Sequence, residues 1–180
     1  MNLNARPTHP AITAELLRRA ASDQAARRSL LENGEPGDLL RIDAENATWL
    51  KAVVAEHGWP GFTLVGEEGA DAAWLLVQHA DRDPGFQCEA RDLLQAAVDA
   101  GEAPSRHLAY LTDRVLVNSG RPQLYGTQYT GHDADSLRPH PVQDPEHLDE
   151  RRAGVGLEPA AAYGRRLRAR YVPAEKEDPA

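Results

Sequence analysis

Apolar positions along the chain recur mostly at helical spacing, and glycine and proline mark the breaks between runs. The first run predicts a helix over 13–32, closed by Asn33-Gly34. At about 100° per residue, Ile12, Leu16, Ala20, Leu30 and Leu31 share one face, while Glu15, Arg18, Arg19, Ser22, Ser29 and Glu32 take the other. Asp23, Gln24 and Arg27 fall inside the apolar face. A second helix is expected from a cap at Asp43 to "EHGWPG", buried through Trp49, Leu50, Val53 and Val54, with Asn46 and His57 on that same buried side. After the glycine-rich "GWPGFTLVGEEG", read with a short extended piece at 62–65, a third helix over 67–80 carries "AWLLVQHAD". Ala72, Ala73, Leu76, Val77 and Ala80 form its deep face, Gln78 stands over Trp74 on a mixed face, and His79 lies on the boundary beside Leu75.

A regular amphipathic helix follows over 84–100, through Leu93, Leu94, Ala97 and Val98. The stretch "SRHLAYLTDRVLVNSG" is apolar nearly all round and predicts a helix closed by Gly120, with Asp113 and Arg114 in its middle; the alternative is a hairpin from "RVLV" into "QLYGTQY". "QLYGTQY" has strand composition, and "SLRPHPV" is its expected antiparallel partner across "TGHDAD". "DPEHLDERR", capped by Asp144, and "PAAAYGRRLRARY" predict two further helices. The expectation is a mainly α fold: one compact domain over 1–172 with about six or seven helices, a small β-ribbon near Tyr125, and a disordered tail over 173–180.

Composition narrows the function classes. The net charge of −8 over 180 residues, mixed along the chain, argues against a nucleic-acid partner held through general positive charge. A single cysteine, Cys88, leaves no disulfide framework or cysteine-rich zinc site and fits a reducing, cytoplasmic setting. The start "MNLNARPTHP" lacks the apolar core of a signal peptide, and no apolar run approaches membrane-spanning length. Nucleophile-elbow, phosphate-loop, dinucleotide and HExxH patterns do not occur. His79, Asp81 and Asp83 are close in sequence, but their side chains diverge on a helix, so neither a metal nor a cofactor is expected.

The polar residues on inward faces come from four helices: Asp23, Gln24 and Arg27; Asn46 and His57; Gln78 and His79; Asp113 and Arg114. Unpaired buried charges and amides are costly, so these groups must meet one another, water or a ligand. One reading is an acid/base site. His79 would transfer protons, Asp23 or Asp113 would orient it, Arg27 and Arg114 would hold an anionic group, and Gln24, Gln78, Trp74, Asn46, His57, Tyr125 and Gln128 would line the pocket. That reading makes a small cofactor-independent hydrolase or isomerase acting on a small molecule or peptide. A pocket that only binds a peptide or protein partner, or a polar network that only specifies a helical core, uses the same residues.

The ordered motifs "DQAAR", "IDAEN", "HGWPG", "LVG", "AAWLLVQHAD", "LTDRVLV", "QLYGTQ" and "DERRAGVGLEP" resemble an uncharacterised bacterial domain-of-unknown-function family. Its pattern is DQxxR, GWP, QH followed by Ala or Ser and then Asp, DR, and YGTQ. The match falls on Asp23, Gln24, Arg27, Gly58, Trp59, Pro60, Gln78, His79, Asp81, Asp113, Arg114, Tyr125, Gly126, Thr127 and Gln128. The resemblance implies no reaction, but it overlaps the residues that the helical wheels turn inward.

Overall fold

The computed structural model describes residues 6–34 and 36–170, which divide into two compact units between Leu111 and Thr112. The fold is mainly α, with seven α-helices and one two-stranded antiparallel sheet among the described residues. The tail expected over 173–180 lies outside the described residues.

The first unit contains α1 (Pro10–Asn33), α2 (Leu39–His57), α3 (Phe62–Gln78), α4 (Pro84–Asp99) and the beginning of α5 (Ser105–Asn118). Pro10 starts α1, and Gly34 ends it in the left-handed conformation, φ 73°. Leu31, expected on the apolar face, is 78% exposed; the last turn of α1 is solvated, so the face ends before the helix does. The second helix begins at Leu39, ahead of the expected cap at Asp43, which is instead a helical residue.

The segment expected to be extended at 62–65 is helical, a first turn of α3 closed by Gly66 at φ 73°, ψ 176°. That break frees the carbonyls of the turn from their intrahelical partners. Thr63 and Leu64 accept from the backbone N–H groups of Thr8 and His9 at 3.1 and 3.0 Å, and Val65 accepts from the Thr13 hydroxyl at 3.0 Å. The start of α1 is thereby pinned to α3. Beyond it the two helices pack along each other, with Gly69, Ala70, Ala72 and Ala73 of α3 all buried. Leu16, Leu50, Val65, Ala73, Val77, Ala90 and Leu94 are fully enclosed in this core.

Asp83 caps α4 by accepting from Phe86 N at 3.0 Å. The end of α3 is held from α4: Gln87, fully buried, donates through Nε2 to the carbonyls of Val77 (3.1 Å) and Gln78 (3.4 Å) and to Asp81 Oδ1 (3.1 Å). This satisfies carbonyls that the helix cannot pair internally.

The second unit holds the rest of α5, β1 (Tyr129–Thr130), β2 (Arg138–Pro139), a 3-10 turn over Pro145–His147, α6 (Leu148–Gly154) and α7 (Ala160–Ala169). The helix reading of 105–118 is the observed one. The ribbon pairs Tyr129 with Pro139 and Thr130 with Arg138, so it is shorter than expected, and "YGTQ" at 125–128 precedes it as irregular backbone. Asp144 stands before the 3-10 turn but makes no side-chain capping bond there.

Candidate functional site

Asp23, fully buried midway along α1, is the anchor of the polar cluster in the first unit. His79 sits where α3 ends, at φ −95°, ψ 2°, and its backbone N–H still closes onto the last turn of the helix. Its Nδ1 lies 2.9 Å from both oxygens of Asp23. Arg27, one turn after Asp23, brings Nε to 3.3 Å from Asp23 Oδ1 and 3.0 Å from His79 Nδ1, and its Nη2 donates to Asp43 Oδ1 at 2.8 Å. Gln24 Nε2 donates to Asp23 Oδ2 at 2.9 Å.

Two N–H groups cannot donate to each other, so with the buried carboxylate as acceptor His79 Nδ1–H and Arg27 Nε–H both donate to Asp23, and Nε2 is the ring nitrogen turned away from the carboxylate. His79 Nε2 makes no hydrogen bond among the described residues. Burial alone disfavours the Asp23 charge, but the hydrogen bond and charge of His79, joined by Gln24 and Arg27, hold its pKa below the ordinary 3.8. Asp43 shows the opposite balance. Burial, with the nearby charge of Asp23, raises its pKa despite Arg27 and His79.

His79 and Asp43 share the wall of an open cleft of about 180 Å³, completed by Thr48, Arg82, Asp83 and three alanines, Ala44, Ala47 and Ala80. Asp83 is ion-paired to Lys51 and Asp43 to Arg27, whereas exposed Arg82 makes no hydrogen bond or ion pair among the described residues. The Thr48 hydroxyl donates to Ala44 O at 2.9 Å. Among the described residues no three His, Cys, Asp or Glu side chains are grouped to hold a metal ion.

The structure thus brings Asp23, Gln24, Arg27 and His79 together, and two cleft residues were missed by the sequence reading. Asp43 is expected only as a cap, although Asp43, Asn46, Ala47, Leu50 and Val54 follow the spacing of one helix face. Arg82 lies in the turn between α3 and α4, where no periodicity gives it a direction. Arg27 corrects its expected role: its guanidinium is occupied by two carboxylates and so ties the network together instead of presenting an anion site.

Other expected members lie elsewhere. His57 is 14 residues (57 minus 43) beyond Asp43 along α2, about 21 Å at 1.5 Å per residue, and pairs with Glu56 at 3.6 Å and with the His9 ring at 4.9 Å. Asn46 is buried and accepts from Arg19 Nη1 at 3.1 Å, in a group where Arg19 also covers the Trp49 ring. Trp74 stacks on buried His107 at 4.4 Å and donates to its backbone carbonyl at 3.1 Å. Gln78 is buried at the end of α3.

Asp113 belongs to a second network, within the second unit. Fully buried, it accepts from the backbone N–H groups of Leu124 (2.7 Å), Tyr125 (2.9 Å) and Thr127 (2.9 Å) and from the Thr127 hydroxyl (2.9 Å). On the carbonyl side of the same loop, fully buried Arg152 donates to Tyr125 O (2.5 Å) and Glu158 O (2.6 Å), its guanidinium over the Tyr163 ring. N–H groups of the loop thus converge on a buried acid, while a loop carbonyl meets a buried guanidinium. Gln123 completes the loop, donating to Gln128 O and accepting from Gln128 N, while Gln128 Nε2 donates to Thr127 Oγ1. Asp113, Thr127 and Gln128 are thus committed to shaping "YGTQ". Of the two carboxylates expected to orient His79, Asp23 is the one that contacts it, and Asp113 holds the loop instead. Tyr125 and Arg114 are half-buried in this unit.

A family model described as a family of unknown function, DUF6624, matches residues 10–174. The chain belongs to DUF6624. The match spans both networks of this DUF6624 chain, from Asp23 to Arg152. No curated protein and no solved structure is significantly similar to it. No described helix is long and apolar enough to cross a membrane.

Proposed function

We propose that this DUF6624 chain is a small acid/base enzyme, independent of a cofactor, that hydrolyses or isomerises a small molecule carrying an anionic group. The observation that carries the reading is a half-buried histidine at a cleft wall, its Nδ1 fixed at 2.9 Å by a fully buried aspartate. In such a pair the carboxylate sets the tautomer and stabilises the imidazolium, while Nε2 takes a proton from water or from a substrate carbon and returns it later. Arg82 would receive the anionic group, because the other cationic groups nearest the cleft, Arg27 and Lys51, already hold carboxylates. The cleft volume suits a small molecule rather than a long peptide. A cytosolic setting completes the reading, supported by the lone Cys88.

A panel of small anionic esters, amides and hydroxy acids, assayed with wild type and a folded His79→Ala variant, tests it. The expected loss in turnover is about 10²- to 10⁴-fold; turnover by the variant equal to wild type would sink the acid/base role. One observation favours a second reading: among the described residues no serine or cysteine lines the cleft. A site that only binds would show ligand affinity with no wild-type turnover.

A further inference from the structure

Charge accounting inside the cleft narrows the ligand, on the premise that this cleft is the functional site. Asp83 is neutralised by Lys51, and Asp23 is surrounded by His79, Arg27 and Gln24. Two groups remain out of balance. Arg82 lines the cleft with no partner among the described residues. Asp43 lines the same cleft with its side chain only 14% exposed; it shares the Arg27 guanidinium with Asp23 and faces Asp23 and His79. Its Oδ1 takes Arg27 Nη2 at 2.8 Å, while its Oδ2 accepts no hydrogen bond among the described residues, and burial raises its pKa. One wall thus offers an unpaired cation and an under-compensated carboxylate, with Ala44, Ala47 and Ala80 as the apolar surface.

We propose that the cleft binds a small zwitterion of the amino-acid type, with its carboxylate on Arg82, its ammonium on Asp43 and its side chain against the alanines. Each charge-assisted contact supplies what a wall group lacks, and a ligand bearing only one of the two charges leaves the other wall group unmatched. The volume of about 180 Å³ suits a free amino acid or a compound of similar size.

The test is an amide-resolved NMR titration of the full chain with L-alanine and L-leucine, against propionate and ethylamine at matched ionic strength. The amides of Thr48, Ala80 and Arg82 are expected to shift with at least one amino acid, and propionate and ethylamine to bind about tenfold more weakly or worse. Arg82→Ala, at an exposed position without partners, should weaken amino-acid binding by about tenfold while leaving the spectrum folded; Asp43→Asn should do the same if it folds. Propionate or ethylamine binding as tightly as the amino acids overturns the proposal, as does an absence of cleft shifts with both amino acids, or Arg82→Ala binding like wild type. The enzyme reading fails separately: it falls if His79→Ala keeps wild-type turnover, whichever ligand binds.

Discussion

Replacing Asp113 by Asn leaves its size nearly unchanged and removes only its capacity to accept on both oxygens. Oδ1 receives Leu124 N and Tyr125 N, and Oδ2 receives Thr127 N and the Thr127 hydroxyl. An amide keeps one oxygen, so two bonds persist as neutral ones, each losing about 1 kcal/mol of charge assistance, and its NH₂ confronts the N–H groups on the other side. The Thr127 hydroxyl can rotate to accept, but a backbone N–H cannot, and one orphaned buried donor costs about 1–3 kcal/mol. The sum is about 3–5 kcal/mol, or roughly 10 °C in Tm for a chain of this length. Urea and thermal unfolding measure it, and amide hydrogen exchange localises it: Leu124, Tyr125 and Thr127 should exchange faster in the variant than their neighbours in α5. A loss under about 1 kcal/mol, or unchanged protection at those three amides, would refute the assignment of Asp113 to the loop.

Asp23 should give the first unit an acid limb. Its folded pKa lies below 3.8, so its stabilising contribution is complete above that unfolded value and is lost as pH falls through the folded one. The stability gap between wild type and Asp23→Asn should therefore shrink on acidification from about pH 5 to pH 2, and a constant gap by urea titration would contradict it. His107 works in a higher window. Burial and the neighbouring Arg106 push its pKa down to about 3, so the unfolded chain binds its proton first and stability falls as pH drops from 6.5 toward that value. His107→Phe, which keeps the stack on Trp74, should flatten the profile there by on the order of 3 kcal/mol. An unchanged slope would contradict the neutral buried imidazole. Gly131→Ala should destabilise the ribbon by at least about 1 kcal/mol, because φ is 124° and a Cβ would fall 2.6 Å from Ser136 O; a melting temperature equal to wild type would contradict the turn geometry.

Much of the helical framework was legible from local chemistry. The 3.6-residue period, the proline start of α4 and the glycine after α1 are properties of neighbouring residues, and the observed bounds follow them, whereas α1 begins at Pro10, ahead of the expected start at 13. Local signals fail where the chain departs from a regular period. The turn at 62–65 looks extended in composition, yet it is helical because Thr8, His9 and Thr13 take the carbonyls that Gly66 sets free. "YGTQ" has strand composition, yet the N–H groups of Tyr125 and Thr127 go to Asp113 and that of Gln128 to Gln123 Oε1 rather than to another strand.

The candidate site divides along the same line. The sequence by itself determined that Asp23, Asn46, Gln78 and Asp113 turn inward, since helix geometry fixes the direction of a side chain from its position. Only the tertiary structure decided their partners. Asp23 and His79 are 56 residues apart and meet because α1 lies along α3; Asp113 meets Thr127 through the chain that returns after α5. A wheel gives the direction of a side chain but not the distance to what faces it. For that reason one expected network resolves into two, a buried Asp23 that holds His79 at an open cleft and a sealed Asp113 loop staple, and Arg82 emerges at the cleft from a turn that no period describes.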